Sequence, residues 1–150
     1  MTIRIQEQNF DAGQEIKMLY TGNNNVGGVC SFIGLVRETQ LGGAVKAMTL
    51  EHYAGMTEKQ LAKIEIEAND RWVLEGSLIV HRYGKMVPGE QIVLVVTASA
   101  HRKAAFESCE FLIDWLKTKA PFWKNEETPE GKKWVQARVS DDIAADRWQK

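Results

Sequence analysis

Residues 77–99 read SLIVHRYGKMVPGEQIVLVVTAS. Two β-rich runs, Ser77 to Tyr83 and Gln91 to Ala98, flank the pair Pro88-Gly89. Proline presets the φ a turn needs, and glycine adopts backbone that other residues avoid. The pair therefore predicts a turn joining two neighbouring strands. Strands connected this tightly pair antiparallel. That reading sets the class as α+β rather than alternating βαβ.

Outward from this stretch the pattern alternates between helix and strand. Ser99 is placed to cap a second long helix. In it Ala105, Phe106, Cys109, Leu112, Ile113 and Leu116 predict a core stripe. Phe111 and Trp115, at i and i+4, form a second apolar strip, either core or a contact surface, and Pro121 stops the helix. Lys133 to Arg138 predicts one more strand, and Ser140 caps a short helix ending near Trp148. Upstream, Thr57 with Gln60 matches a capping box for the first long helix. Leu61, Ile64 and Ala68 share its inner face, and it runs to about Trp72. Ala47 to Tyr53 predicts a strand preceded by a loop at Gly42-Gly43. Val26 to Val36 is an apolar strand whose Gly27, Gly28 and Gly34 permit a bulge or a close backbone approach. Ile3 and Ile5 mark an opening strand, Asp11 caps a short helix carrying Ile16 and Leu19, and residues 22–25 form a turn. The expected architecture is a single domain over 1–150, with antiparallel strands and two long helices.

Composition narrows the function. With 44% hydrophobic and 26% charged residues, the 150-residue chain reads as globular and not disordered. A formal net charge of −1 argues against a nucleic-acid binder. No run approaches the ~20 apolar residues of a membrane span, and the N-terminus lacks the apolar run of a signal peptide. Cys30 and Cys109 form no CxxC pair and accompany no histidine pair, so no metal site, cofactor or disulfide framework is expected. A reduced cytoplasmic protein follows. Both thiols fall on apolar segments, where sulfur is usually inert packing. Any sulfur the protein handles arrives from elsewhere.

Cationic residues gather near predicted element ends. Arg37 follows the glycine-rich strand, His101 and Arg102 open the second long helix, Lys117 and Lys119 close it, and Lys124 follows Phe122-Trp123. Lysines in a last helical turn complement the helix dipole and need no further role. A helix start with added positive charge favours an anion, although most such starts bind water. A lysine desolvated by aromatic neighbours gives up its proton more readily, which singles out Lys124; snorkelling along Trp123 is the plainer reading. His52 and His81 fall in predicted strands and are read as packing. Neither GxGxxG nor a P-loop pattern is present, which disfavours a nucleotide binder.

The segments SFIGLVR at 31–37, LEHY at 50–53, AHR at 100–102 and LKTKAPFWK at 116–124 stand in an order that resembles the large, catalytic subunit of molybdopterin synthase. The match extends from about Val26 to Trp134. That resemblance implies an α/β-hammerhead fold and a homodimer of the large subunit. Each copy would bind a small ubiquitin-like subunit whose Gly-Gly tail ends in a thiocarboxylate, making a heterotetramer. The substrate implied is cyclic pyranopterin monophosphate, and the product is the dithiolene pterin of molybdenum cofactor biosynthesis. By resemblance Lys117 and Lys124 are the catalytic lysines. Arg37, His101 and Arg102, with Leu35 and Val36 beside Arg37, are substrate or anion contacts, some of them supplied across the dimer. The family usually carries a second basic residue after Trp-Lys. Here it is Asn125, and Asn125 with Glu126 completes the candidate set. A phosphate-bearing substrate suits arginine's paired donors, and lysines suit proton movement and charge stabilisation. A module that docks such a tail without chemistry is the alternative.

Overall fold

The computed structural model describes residues 2–40, 43–44, 46–128, 131–135 and 139–149. In chain order the elements are β1 (Thr2–Gln6), α1 (Ala12–Tyr20), β2 (Gly28–Leu35), β3 (Thr39–Gln40), β4 (Gly43–Ala44), β5 (Ala47–His52) and α2 (Met56–Arg71). There follow β6 (Gly76–Arg82), β7 (Gly84–Met86), β8 (Gln91–Ser99), α3 (Arg102–Thr118), β9 (Phe122–Thr128), β10 (Gly131–Val135) and α4 (Val139–Asp146), ending in a 3-10 turn, Arg147–Gln149. The fold is α+β.

One four-stranded sheet has the order β1-β6-β8-β2 and a second the order β10-β9-β5-β7; β3 and β4 form a two-residue ladder. Side chains alternate across a strand. In the first sheet Leu78, Val80, Leu94 and Val96 therefore face one way, where Phe10, Ile16 and Leu19 cover them. Ile79, Val93 and Val95 face the other way, onto Leu61, Ile64, Ala68, Cys109, Phe111, Leu112 and Leu116 of α2 and α3. Burial on both faces is why 78–80 and 92–96 read as continuous apolar runs without alternation. A third cluster, Val36, Met48, Leu50 and Met86, joins the end of β2 to the second sheet.

The predicted strand pair β6/β8 is present and antiparallel, with Val80 opposite Leu94. The Pro88-Gly89 turn is also present, but it connects β7 to β8. β6 first crosses at Gly84 (φ 95°) into β7, which pairs with β5 in the other sheet. The β1/β6 pair is parallel, against the antiparallel expectation. Four strands and two helices lie between the two, ample length for a crossover.

Further expectations are corrected or refined. α2 starts at Met56, with Gly55 as cap; the Glu58 carboxylate accepts from the Gly55 N–H, so Thr57-Gln60 is not the capping pair. Ser99 ends β8 and donates to the Val73 carbonyl, leaving His101 to cap α3. Phe106 is 62% exposed because it lies roughly 100° around the helix from the buried Ala105. Phe111 is fully buried, edge-on to Trp72, Trp115 and Trp148, so this half of the second strip is core, while Trp115 is half-buried. The expected final strand begins two residues earlier as β10, and Gln136 to Arg138 lie outside the described residues, as does Gly42. α4 begins at Val139, so Ser140 stands within its first turn.

Candidate functional site

The end of α3 and the start of β9 are held close by a short reversal. The Lys119 N–H reaches the Trp115 carbonyl (2.7 Å) as the helix closes, and the Phe122 N–H reaches the Ala120 carbonyl (2.8 Å) around Pro121. A three-residue turn of this kind reverses the chain at once. Lys117, exposed in the last turn of α3, and Lys124, half-buried in β9, thus return to the same neighbourhood.

Both act by charge on His81. This ring is buried on β6 and lies flat against Phe122, with centroids 3.8 Å apart and planes 13° from parallel. Its Nδ1 sits 2.9 Å from the Arg82 carbonyl, which only accepts, so Nδ1 carries the proton. Burial, above all, pushes its pKa down from 6.5 to about 3; the bond to the Arg82 carbonyl opposes the shift, and Lys117, Lys124 and His52 add to it by repulsion. Three cationic or titratable groups from α3, β9 and β5 therefore bear on one neutral ring. Phe122 also meets His52 (centroids 5.8 Å), and His52 meets Tyr83 (4.7 Å). The rings of His81, Phe122, His52 and Tyr83 thus form one chain of contacts, on which Lys117 and Lys124 act by charge.

Cross-strand register places the rest. Leu50 stands opposite Lys124 and His52 opposite Phe122 on the β5/β9 ladder, while Asn125 and Glu126 continue β9 opposite Thr49 and Met48. Val36 is buried against Leu50 and bonds through its backbone to Glu90 and Gly89 (2.9 and 2.8 Å). That contact ties the Leu35-Val36-Arg37 end of β2 to the sheet carrying Lys124. Leu35 is 51% exposed and Arg37 is exposed.

His101 and Arg102 do not join this group within one chain. Both are exposed at the start of α3, about 22 Å of helix from Lys117 at 1.5 Å per residue. They lie beside the other end of β2. A Cβ on Gly27 would stand 2.1 Å from the Ala100 carbonyl oxygen and one on Gly28 would stand 3.4 Å from Arg102 Cα, so the glycines let strand and helix start touch. A groove of about 330 Å³ between α2 and the end of α3 has Ile64, Trp115 and Lys119 in its wall; neither Lys117 nor Lys124 lines it.

Sequence reasoning put His52 and His81 down to packing and did not see that Phe122 joins them. The missed signal was alternation in 122–128, where Phe122 and Lys124 fall on one face of a strand hidden inside a motif. Cys109 is buried and its thiol is pushed well up by desolvation, with Cys30 adding to the shift, which suits packing. Among the described residues no group of three His, Cys, Asp or Glu could hold a metal, and no helix is long and apolar enough to cross a membrane.

A family model described as "MoaE protein" matches residues 5–119. The chain is 53% identical over 149 residues to the molybdopterin synthase catalytic subunit of Pseudomonas aeruginosa, covering 99% of each. It is 54% identical over 147 residues to that of Ralstonia nicotianae, covering 98% of this chain and 84% of that one. The solved structure of a molybdopterin biosynthesis MoaE protein from Burkholderia ambifaria matches with a TM-score of 0.83 and 50% identity, covering 99% of this chain and 98% of that one. With the model spanning most of its length and such relatives matching it end to end, the chain belongs to the MoaE protein family.

Proposed function

We propose that this chain is the catalytic subunit of a molybdopterin synthase. It moves two sulfurs from the thiocarboxylated Gly-Gly tail of a small ubiquitin-like subunit to cyclic pyranopterin monophosphate, and forms the dithiolene. The observation that carries this reading is the convergence of Lys117 and Lys124 on His81, in a chain about half identical throughout to catalytic subunits of that name. Two ammonium groups acting beside an aromatic cluster suit a phosphate-bearing pterin: rings favour its flat ring system and the charges favour the anion. Opening the cyclic phosphate and cleaving the thiocarboxylate both require protons to move, which the lysines serve. The sulfur comes with the partner, in keeping with the buried thiol of Cys109.

The working unit is proposed to be a dimer of this chain with one small subunit on each copy, in the cytoplasm, where two free cysteines suit a reducing environment. β2 ends its sheet and exposes Val29, Phe32, Ile33 and Leu35. A second copy related by a two-fold axis through the middle of β2 would bring its own Gly28 end against the Leu35 end of the first. His101 and Arg102 of one copy would then reach Arg37, Lys117 and Lys124 of the other, because β2 (about 26 Å at 3.3 Å per residue) and the α3 span are nearly equal.

The test mixes the chain with thiocarboxylated small subunit and precursor and measures dithiolene pterin. Lys117→Ala and Lys124→Ala should each lower the rate by at least ~10²-fold with unchanged circular dichroism. Near-normal turnover by either folded variant removes the catalytic assignment.

A further inference from the structure

His52, beside Phe122, has its ring polarity set by hydrogen bonds and is partly open to solvent. Its Nδ1 lies 3.0 Å from the Thr57 hydroxyl, and that hydroxyl donates to the Tyr53 carbonyl at 2.8 Å. A hydroxyl has a single proton. Since Thr57 spends it on Tyr53, Thr57 accepts from His52, and the ring proton is on Nδ1. The lone pair of the neutral ring is then on Nε2. Thr57 is itself fully buried at the start of α2, so this orientation is built into the fold.

The β5/β9 register sets what that lone pair can serve. His52 is opposite Phe122 and Leu50 is opposite Lys124, so His52 and Lys124 are diagonal neighbours on one face of the ladder. Diagonal Cα atoms lie roughly 7–8 Å apart, within reach of a histidine and a lysine side chain. The partners holding the ring on its other sides, Tyr83 and Phe122, are aromatic.

We propose that His52 is a proton-relay residue of the sulfur-transfer site, positioned by Thr57 so that Nε2 takes a proton from the Lys124 ammonium and later returns it. The transfer leaves a neutral Lys124 amine and a His52 imidazolium, with Nδ1–H still on Thr57 and net charge unchanged. It supplies the deprotonated lysine a general base requires without calling on bulk water. This assignment rests on the sulfur-transfer reading above.

The test has a spectroscopic and a kinetic part. Long-range 1H–15N correlation on the histidine-labelled full chain should show His52 as the Nδ1–H tautomer at neutral pH, and Thr57→Val should abolish that preference. In the complex with thiocarboxylated small subunit, His52→Asn keeps an N–H donor for Thr57 but removes the second nitrogen. Its kcat should fall ~10²-fold with KM for the precursor unchanged. Added imidazole should restore part of the rate to His52→Gly, and Thr57→Ser, which keeps the hydroxyl, should recover the tautomer preference and the rate that Thr57→Val loses. An Nε2–H tautomer, or a His52→Asn enzyme within about two-fold of wild type, overturns the relay. If the unmodified chain forms no dithiolene, the sulfur-transfer reading fails instead, so the two failures are told apart.

Discussion

At the scale of single residues, burial decides which groups answer to pH. His81 binds a proton in the folded chain only near pH 3, whereas in the unfolded chain it does so near 6.5. Between those values the unfolded state holds more protons. Stability therefore falls as pH drops from 6.5 towards 3, with a slope of up to about 1.4 kcal/mol per pH unit. Glu65 acts in the opposite sense. It is buried on α2 and accepts from the Ser77 hydroxyl at 2.8 Å, and desolvation raises its carboxyl above 4.5. Its contribution is present below 4.5 and is lost as pH rises through its folded value. Above pH 4.5 the two oppose each other, so the His81 part is read as the difference between the native chain and a His81 variant. Between pH 5 and 6.5 the urea midpoint should drop with acid by more in the native chain than in His81→Gln. Equal slopes would mean the buried ring takes no part. His81 as packing was legible from an apolar strand. Its link to Lys117 and Lys124 was not, because that depends on how a chain reversal at Pro121 aligns two elements.

At the scale of elements, glycine spacing was the most informative local signal, and it can be tested. Gly27 and Gly34 were read as permitting close approach or a bulge. The structure has the β2/β8 register shift between Gly34 and Leu35, and at Gly27 a backbone contact no side chain could enter. A methyl on Gly27 would meet the Ala100 carbonyl, which is backbone and cannot rotate aside. Gly27→Ala should thus cost about 1–3 kcal/mol, the usual range for overpacking, seen as a lower urea midpoint at constant m-value. Gly13→Ala is the matching control. Its nearest neighbour would be Asp11 at 3.6 Å, within a helix, so it should gain roughly 0.5–1 kcal/mol. Equal stability of the two variants would contradict the close approach. Other elements were harder to read for identifiable reasons. β9 was missed because Phe122 to Thr128 is mostly polar, and it is drawn into a sheet by β5 and β10 on either side rather than by its own propensity. The start of α2 was displaced because Glu58 reaches back to a glycine, a cap with no side chain to recognise. β7 was absorbed into a loop because three residues carry too little pattern to announce a change of sheet.

At the scale of the whole molecule, the candidate residues divide into two groups that one chain cannot unite. Lys117, Lys124 and the Arg37 end of β2 lie at one end of the α3/β2 layer, and His101 with Arg102 lie at the other. The family resemblance implied that some contacts cross the dimer, but motif spacing did not say which, because a motif records which residues matter and not which copy supplies them. The proposed two-fold axis through β2 turns the separation into a requirement: each site draws its lysines from one chain and its helix-start cations from the other. Mixing Lys117→Ala with Arg102→Ala tests this directly. In a mixed dimer of that kind, one site collects both lesions and the other collects neither. If subunits assort at random, half the dimers are mixed and each has one intact site, so activity should recover to about a quarter of wild type. Each parent alone should remain nearly inactive. If all the residues of a site came from one chain, every site in the mixture would keep a lesion and no activity would return. Recovery should also require subunit exchange, so it should follow co-refolding or co-expression and be absent in a freshly combined pair whose dimers exchange slowly. A mixture that stays inactive after co-expression, while sedimentation shows mixed dimers, would mean that each site draws its lysines and its helix-start cations from the same chain.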